Sequence, residues 1–270
     1  MAGLTTLAVP PHLSCKPLYR GLQEFFKLII DTEGTRFIDL RQGRLAAALV
    51  SPLEYARAAS LSCVLPEIAV SSRTPNDAIT LHFRDELHTI ATLAVDPSCA
   101  SEIVLAKIIL AEEFDIRPAM VPTIGSLEHM LTRGDAALMV GDSSLGIGTA
   151  HLNKIDLVEA WNEMTRTPYV HAVWVVREHG LGAHEVASIQ KVGKRAEDAV
   201  REIVSEAPPD KKETLGLHLS AFSYLLTDEE EAGIAEFFRY AYFHGVLPDI
   251  PDLQYFSQDE EHHDADDAAP

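Results

Sequence analysis

The amino-acid sequence predicts an α/β fold built on a mostly parallel sheet, or on two of them. Short apolar runs alternate with segments whose apolar residues recur at helical spacing. The joints between them are rich in Ser, Asp, Gly and Pro, and no internal repeat or long linker interrupts the alternation. With 270 residues, 47% of them hydrophobic, the chain buries a sizeable core as one large domain or two lobes.

The elements follow in order. Leu4 to Val9 is a short apolar strand ended by Pro10 and Pro11. From Pro17, the spacing of Leu18, Leu22, Phe25, Phe26, Ile29 and Ile30 predicts a helix. Gly43 to Val50 leads into a second helix, where Ser51 is a good cap, Pro52 suits the first turn and Glu54 follows. Ile68 to Val70 and Ala78 to Phe83 read as strands around a polar loop, and Thr92 to Val95 as a strand opening a helix over 103–114. Ala136 to Val140 and Tyr169 to Val176 are buried strands on either side of a helix over 156–164. Long helices over 183–205 and 228–244 close the pattern.

Charge narrows the partners. Against 41 acidic residues stand 22 basic ones, a net charge of -19, which repels phosphate backbones and anionic lipid surfaces. Neither nucleic acid nor a membrane is expected. The segment 259–270 (DEEHHDADDAAP) carries six carboxylates, reads as a disordered acidic tail, and its His262 and His263 as part of a solubilising run rather than a metal site. Cys15, Cys63 and Cys99 form no C-x-x-C pair, which argues against a disulfide framework or zinc site and fits a reducing cytosol. No export signal or membrane-spanning run is visible. Gly146-Ile147-Gly148 lacks the third glycine of a dinucleotide fingerprint, and no G-x-S-x-G elbow occurs. No metal or organic cofactor is expected, and the oligomeric state is not legible.

Ligands in such folds bind at the carboxyl ends of strands, beside helix N-termini that favour anions. Four joints here are rich in hydroxyl groups: His12 to Lys16, Ser71 to Asn76, Ser98 to Ser101 and Gly141 to Ser144. Helix capping explains any one of them; together they point to a small organic acid. His12 is placed to aim into a cleft and Lys16 to neutralise an anion, whereas His171, inside an apolar strand, reads as structural.

The run from Asp135 to Leu145 (DAALMVGDSSL) resembles the D-x-x-L-x-I-G-D-x-A-L signature of the chorismate dehydratase family of the futalosine route to menaquinone. Asp156-Leu157, Glu159, Trp161, Pro168-Tyr169-Val170 and Ala172-Val173-Trp174 follow in that family's order. Upstream, Leu13 to Leu18 is similar to its L-N-T-K-P-L, and Val50 to Ala56 to its V-S-S-I-E-Y-A. Ser14 stands where the family has Asn, and Ala78 where it has Ser, with Asn76, Asp77 and Thr80 nearby to compensate.

The resemblance implies a two-lobed type II periplasmic-binding-protein-like fold with its ligand cleft between lobes. One lobe would comprise 1–83 plus 177–258 and the other 84–176, hinged near Leu81 to Arg84 and Val173 to Arg177. It implies a lyase that dehydrates chorismate, a dicarboxylate, to 3-[(1-carboxyvinyl)oxy]benzoate in the cytoplasm. Ser14, Ser51, Ser72 and Asn76 from the first half, and Ser98, Ser101, Gly141 and Asp142 from the second, are the expected substrate-binding residues; no residue is assigned the proton transfer. The alternatives are a related 1,4-dihydroxy-6-naphthoate synthase-type lyase and a non-catalytic binding protein for a small organic acid.

Overall fold

The computed structural model describes residues 4–30, 36–57, 59, 62–145 and 152–257. Gly146 to Gly148 and the acidic tail lie outside them. Six strands form one sheet: β1 (Thr6–Val9), β2 (Lys27–Ile30), β3 (Ala47–Val50), β4 (Ser62–Ser72), β10 (Tyr169–Arg177) and β11 (Phe222–Leu226), in the order β11-β4-β10-β3-β1-β2. Five form the other: β5 (Ile79–Phe83), β6 (Thr92–Val95), β7 (Ala119–Pro122), β8 (Ala136–Val140) and β9 (Asn153–Asp156), in the order β7-β6-β8-β5-β9. The helices are α1 (Arg36–Arg41), α2 (Pro52–Ala56), α3 (Ala100–Phe114), α4 (Leu127–Met130), α5 (Leu157–Thr165), α6 (Ala183–Gly193), α7 (Ala196–Glu206), α8 (Lys212–Ser220) and α9 (Asp228–Phe243).

Each sheet is mixed rather than mostly parallel. β1 runs parallel to β2 and β3, and β6 to β7 and β8. Four antiparallel pairs arise where the chain changes sheets, as β5 enters the second sheet between β8 and β9 and β10 returns to the first between β3 and β4; β11 adds a fifth against β4. A strand arriving from the other lobe is not delivered by the right-handed helical crossover that makes neighbours parallel.

These pairings also correct the expected lobe boundaries. The chain leaves the first sheet between Ser72 and Ile79 and returns between Thr165 and Tyr169, not at 83/84 and 176/177. The hinge expected near Leu81 to Arg84 and Val173 to Arg177 falls at the far ends of β5 and β10, each by then paired inside its own sheet.

Two helices expected from periodicity take other forms. Over 17–30 the chain makes 3-10 turns at Leu13–Leu18 and Leu22–Glu24, separated by Gly21 at φ +95°, then pairs as β2 along the open edge of β1. Consecutive turns satisfy the same apolar spacing, burying Leu18, Leu22 and Phe26 while Ile29 and Ile30 stay exposed on the edge strand. The segment 183–205 divides into α6 and α7, because α6 ends on Gly193, where a Cβ would lie 2.7 Å from Ile68 Cγ2 of β4. By contrast, Ser51 caps α2 as expected: the Glu54 N–H donates to Ser51 Oγ at 3.3 Å, and Glu54 Oε2 accepts the Ser51 N–H at 2.9 Å.

Behind the passage between lobes lies an aromatic cluster. The Trp161 ring of α5 meets Phe237 and Tyr240 of α9 edge-on at centroid distances of 6.1 and 5.8 Å, and Tyr169 of β10 at 6.2 Å. Its indole N–H donates to the Pro168 carbonyl at 3.3 Å, so this large side chain is fully buried with its one polar group satisfied.

Candidate substrate site

The carboxyl ends of the parallel strands β1 and β3 face those of β6 and β8 across a cavity of about 360 Å³. From the first lobe come His12, Ser14 and Cys15 after β1, Arg36 of α1, Ser51 and Glu54 after β3, and His171 of β10. From the second come Ala78, the segment 97–102 after β6, and Gly141 after β8. The first turn of α3 therefore lines the space and brings the positive end of a 15-residue helix to it.

One wall is a contact between lobes. The Leu13 N–H donates to both carboxylate oxygens of Asp142, at 3.0 and 3.3 Å. Beside it Gly141 has φ +65° and donates its N–H to the Ala78 carbonyl at 2.7 Å, and its bare Cα lets the His12 imidazole pack against the turn. His12 thus points inward, and burial pushes its pKa down; the Asp142 carboxylate opposes that shift and Arg36 adds to it.

The charged groups are few and coupled. Arg36 lies 3.5 Å from Glu54, whose Oε2 also takes the Ser51 N–H and hydroxyl. Burial raises the Glu102 carboxyl to about 7; the nearby Glu54 charge adds, while its own backbone N–H and Arg36 oppose. Burial likewise pushes the Cys15 and Cys99 thiols up to about 12, so both are protonated at neutral pH and neither is a ready nucleophile.

Burial, helped by His12 and His218, lowers His171 to about 3. Neutral His171 shares a hydrogen bond of 2.7 Å with Ser72 Oγ. Because its pKa is depressed in the folded state, its contribution to stability is present above pH 6.5 and is lost as pH falls toward 3. Its share of the unfolding free energy should fall by up to about 1.4 kcal/mol per pH unit in that window. Urea unfolding at pH 7 and pH 5 checks this: His171→Gln should lose less stability between the two than the parent, and an equal loss would refute it.

Of the expected substrate-binding residues, Ser14, Ser51, Ser98, Ser101 and Gly141 line the cavity. Ser72, Asn76 and Asp142 do not, and their expected placement is corrected: Ser72 holds His171, Asp142 ties the lobes, and Asn76 is built into the passage between them. Asn76 Oδ1 accepts the Ala78 N–H at 2.9 Å, and the Asn76 carbonyl accepts from His218 Nδ1 at 2.9 Å, which places that ring's proton on Nδ1. Thr80 pairs with His82 at 2.9 Å, and neither Asn76 nor Thr80 replaces a hydroxyl beside Ala78. Lys16 is not part of the lining either.

Sequence reasoning missed Arg36, Arg57 and Glu102, and read Glu54 only as a cap and His171 only as structural. A signal existed for the carboxylates. Both Glu54 and Glu102 follow the same pattern of parallel strand, hydroxyl loop and first-turn glutamate, which repeats once in each lobe.

The family model described as menaquinone biosynthesis matches residues 5–243 of the chain. A chorismate dehydratase of Thermus thermophilus is 25% identical over 259 residues, spanning 86% of this chain and 93% of the relative. A crystal structure from Archaeoglobus fulgidus superposes with a TM-score of 0.69 at 14% identity, covering 90% of this chain and 98% of that one. A Candida albicans protein described as having the generic periplasmic binding protein fold superposes with a TM-score of 0.57 at 13% identity, over 93% of each chain. The two-sheet architecture and these superpositions establish a two-lobed type II periplasmic-binding-protein-like fold, and the match over 5–243 places the chain in the menaquinone biosynthesis family.

Proposed function

We propose that the protein is a hydro-lyase that removes water from chorismate to give 3-[(1-carboxyvinyl)oxy]benzoate, acting in the cytoplasm on the futalosine route. The observation that carries this reading is the cavity's donor set. In a chain of net charge -19, a partly open cavity between the lobes gathers Arg36, the more exposed Arg57, four serine side chains, of which Ser51 and Ser98 now donate to Glu54 and Asp96, and the first turn of α3. That set suits a ligand with two carboxylates.

Chorismate supplies much of its own driving force. Loss of the C3 hydrogen and the C4 hydroxyl turns the cyclohexadiene into an aromatic ring, so the protein must orient the substrate and exclude water. Ser14, Ser51, Ser98 and Ser101 serve as binding and orienting hydroxyls in this reading. Ser72 acts through His171 and Asp142 through the closed wall, Asn76 shapes the passage beside Ala78, and the substrate's enolpyruvyl carboxylate takes the C3 proton.

Incubating the purified protein with chorismate should yield the aromatic enolpyruvyl ether, followed by chromatography and ultraviolet absorbance. Ser14→Ala and Ser98→Ala should each raise KM, with a weakening of about tenfold for the loss of one to two kcal/mol of hydrogen bonding. No product at high enzyme concentration would sink the proposal, and thermal stabilisation by chorismate without product would favour a binding protein instead. The two cavity-facing histidines favour keeping the 1,4-dihydroxy-6-naphthoate synthase-type reaction as a second assay, although a cavity near the small end of the usual ~300–1,000 Å³ range suits the smaller substrate.

A further inference from the structure

Loss of hydroxide from C4 is slow unless a proton reaches the oxygen as the bond breaks. Two carboxyl groups line the cavity among the described residues, Glu54 and Glu102. Glu54 is committed: it takes the Ser51 N–H and hydroxyl and sits 3.5 Å from Arg36. Glu102 is hydrogen-bonded to its own backbone N–H and to no other side chain among the described residues. It stands in the first turn of α3, beside the Ser98 and Ser101 hydroxyls.

We propose that Glu102 is a catalytic residue of this site, donating its carboxyl proton to the hydroxyl that leaves C4 of the bound substrate. The inference rests on the chorismate reading. The C3–H bond breaks as the enolpyruvyl carboxylate takes the proton, and its electron pair forms the C3–C4 π bond. The C4–O bond breaks with its pair on oxygen, which takes the Glu102 proton and departs as water. The product then releases its proton to solvent and Glu102 takes one back, so the sum is chorismate to product plus water.

The surroundings keep Glu102 protonated at the moment of reaction. It feels Glu54 of α2 and Arg36 of α1, which act in opposite senses, and its own charge would act on the Cys15 and Cys99 thiols and the Tyr169 hydroxyl, all held neutral by burial. Against a carboxyl already near 7, a ligand bringing two negative charges into the cavity raises it further. Binding should therefore draw a proton from solvent above neutral pH, and the acid form required for turnover is lost from the free protein as pH rises through about 7.

The test uses the full chain and Glu102→Gln. The variant should lose roughly 100-fold to 10,000-fold in kcat with KM changed only a few-fold, and the fall of kcat/KM above neutral pH should disappear. An activity-independent readout is calorimetry with the product, 3-[(1-carboxyvinyl)oxy]benzoate, as probe at pH 8 in buffers of different ionisation enthalpy. The parent should take up a proton on binding and Glu102→Gln should not. A variant that keeps parental kcat, an alkaline fall that persists in it, or binding to the parent without proton uptake would each overturn the role of Glu102 while leaving the lyase reading intact. A parent inactive on chorismate overturns both. Should the variant fail to fold, the parent still tests the proposal: binding of the product without proton uptake overturns it.

Discussion

Replacing Gly141 with alanine should reduce turnover in the proposed dehydration of chorismate by roughly 100-fold, the size of effect expected when reacting groups are displaced by about an ångström. A Cβ at this position would lie 2.2 Å from His12 Nδ1 and 2.7 Å from Cε1 of the same ring. The conflict has no cheap remedy. The ring is packed inside the cavity wall, and the backbone at φ +65° would itself carry strain of about 1 kcal/mol for a residue with a side chain. Either His12 swings into the space meant for substrate, or the turn at 141–144 withdraws and Asp142 loses the Leu13 N–H. The first fills the cavity, and the second breaks the contact between the lobes. Steady-state kinetics and small-angle scattering with and without chorismate would measure this: slower turnover and a failure to compact on ligand addition are expected. The double variant His12→Ala with Gly141→Ala should be less impaired than the sum of the singles, because removing the ring removes the clash. Parental turnover in Gly141→Ala would show that the wall is free to move.

The second large effect is on stability. Asp156 is buried at the end of β9, where Oδ2 accepts the N–H groups of Asn76 and Asp77 at 3.0 and 2.9 Å, and Oδ1 those of Val158 and Glu159 at 2.9 and 3.1 Å. One carboxylate thus caps α5 and pins the first passage between the lobes. Asp156→Ala should cost about 4 kcal/mol, from a lost cap worth about 1 kcal/mol and two further backbone donors left buried at 1–3 kcal/mol each. Asp156→Asn should cost less, since its one carbonyl oxygen still serves two of the four donors. Urea unfolding gives the numbers, and a loss under 1 kcal/mol for the alanine variant would mean that water or a shifted backbone replaces the carboxylate. Ligand closure should suffer as well, because Asn76 and Asp77 are the chain segment that must guide the lobes together.

Much of the framework is written locally. The strands β1, β3, β5, β6, β8 and β10 all fall where short apolar runs predict them, and the capping pattern at Ser51 forms as its spacing demands. The run from Asp135 to Leu145 identifies a buried strand and the turn after it, and the turn holds Gly141 and Asp142 at the edge of the cavity. Where the structure departs from these patterns, distant partners decide. The spacing of Leu18 to Ile30 is helical, yet the chain makes 3-10 turns and its last four residues pair as β2 along the open edge of β1. Hydroxyl groups suggested the pocket, but their presence in a loop does not say which of them turn inward.

The local chemistry of the sequence therefore determines the alternation of strands and helices, the helix caps and the hydroxyl-rich loops at strand ends, because each depends on residues within a few positions of one another. The tertiary structure alone decides the mixed pairing of the sheets, the points at 72–79 and 165–169 where the chain changes lobe, and the company kept by Arg36, Glu54 and Glu102. Those follow from long-range packing: burial raises the Glu102 carboxyl, Glu54, 48 positions away, adds to the shift and Arg36, 66 positions away, opposes it, a relation that no local pattern encodes.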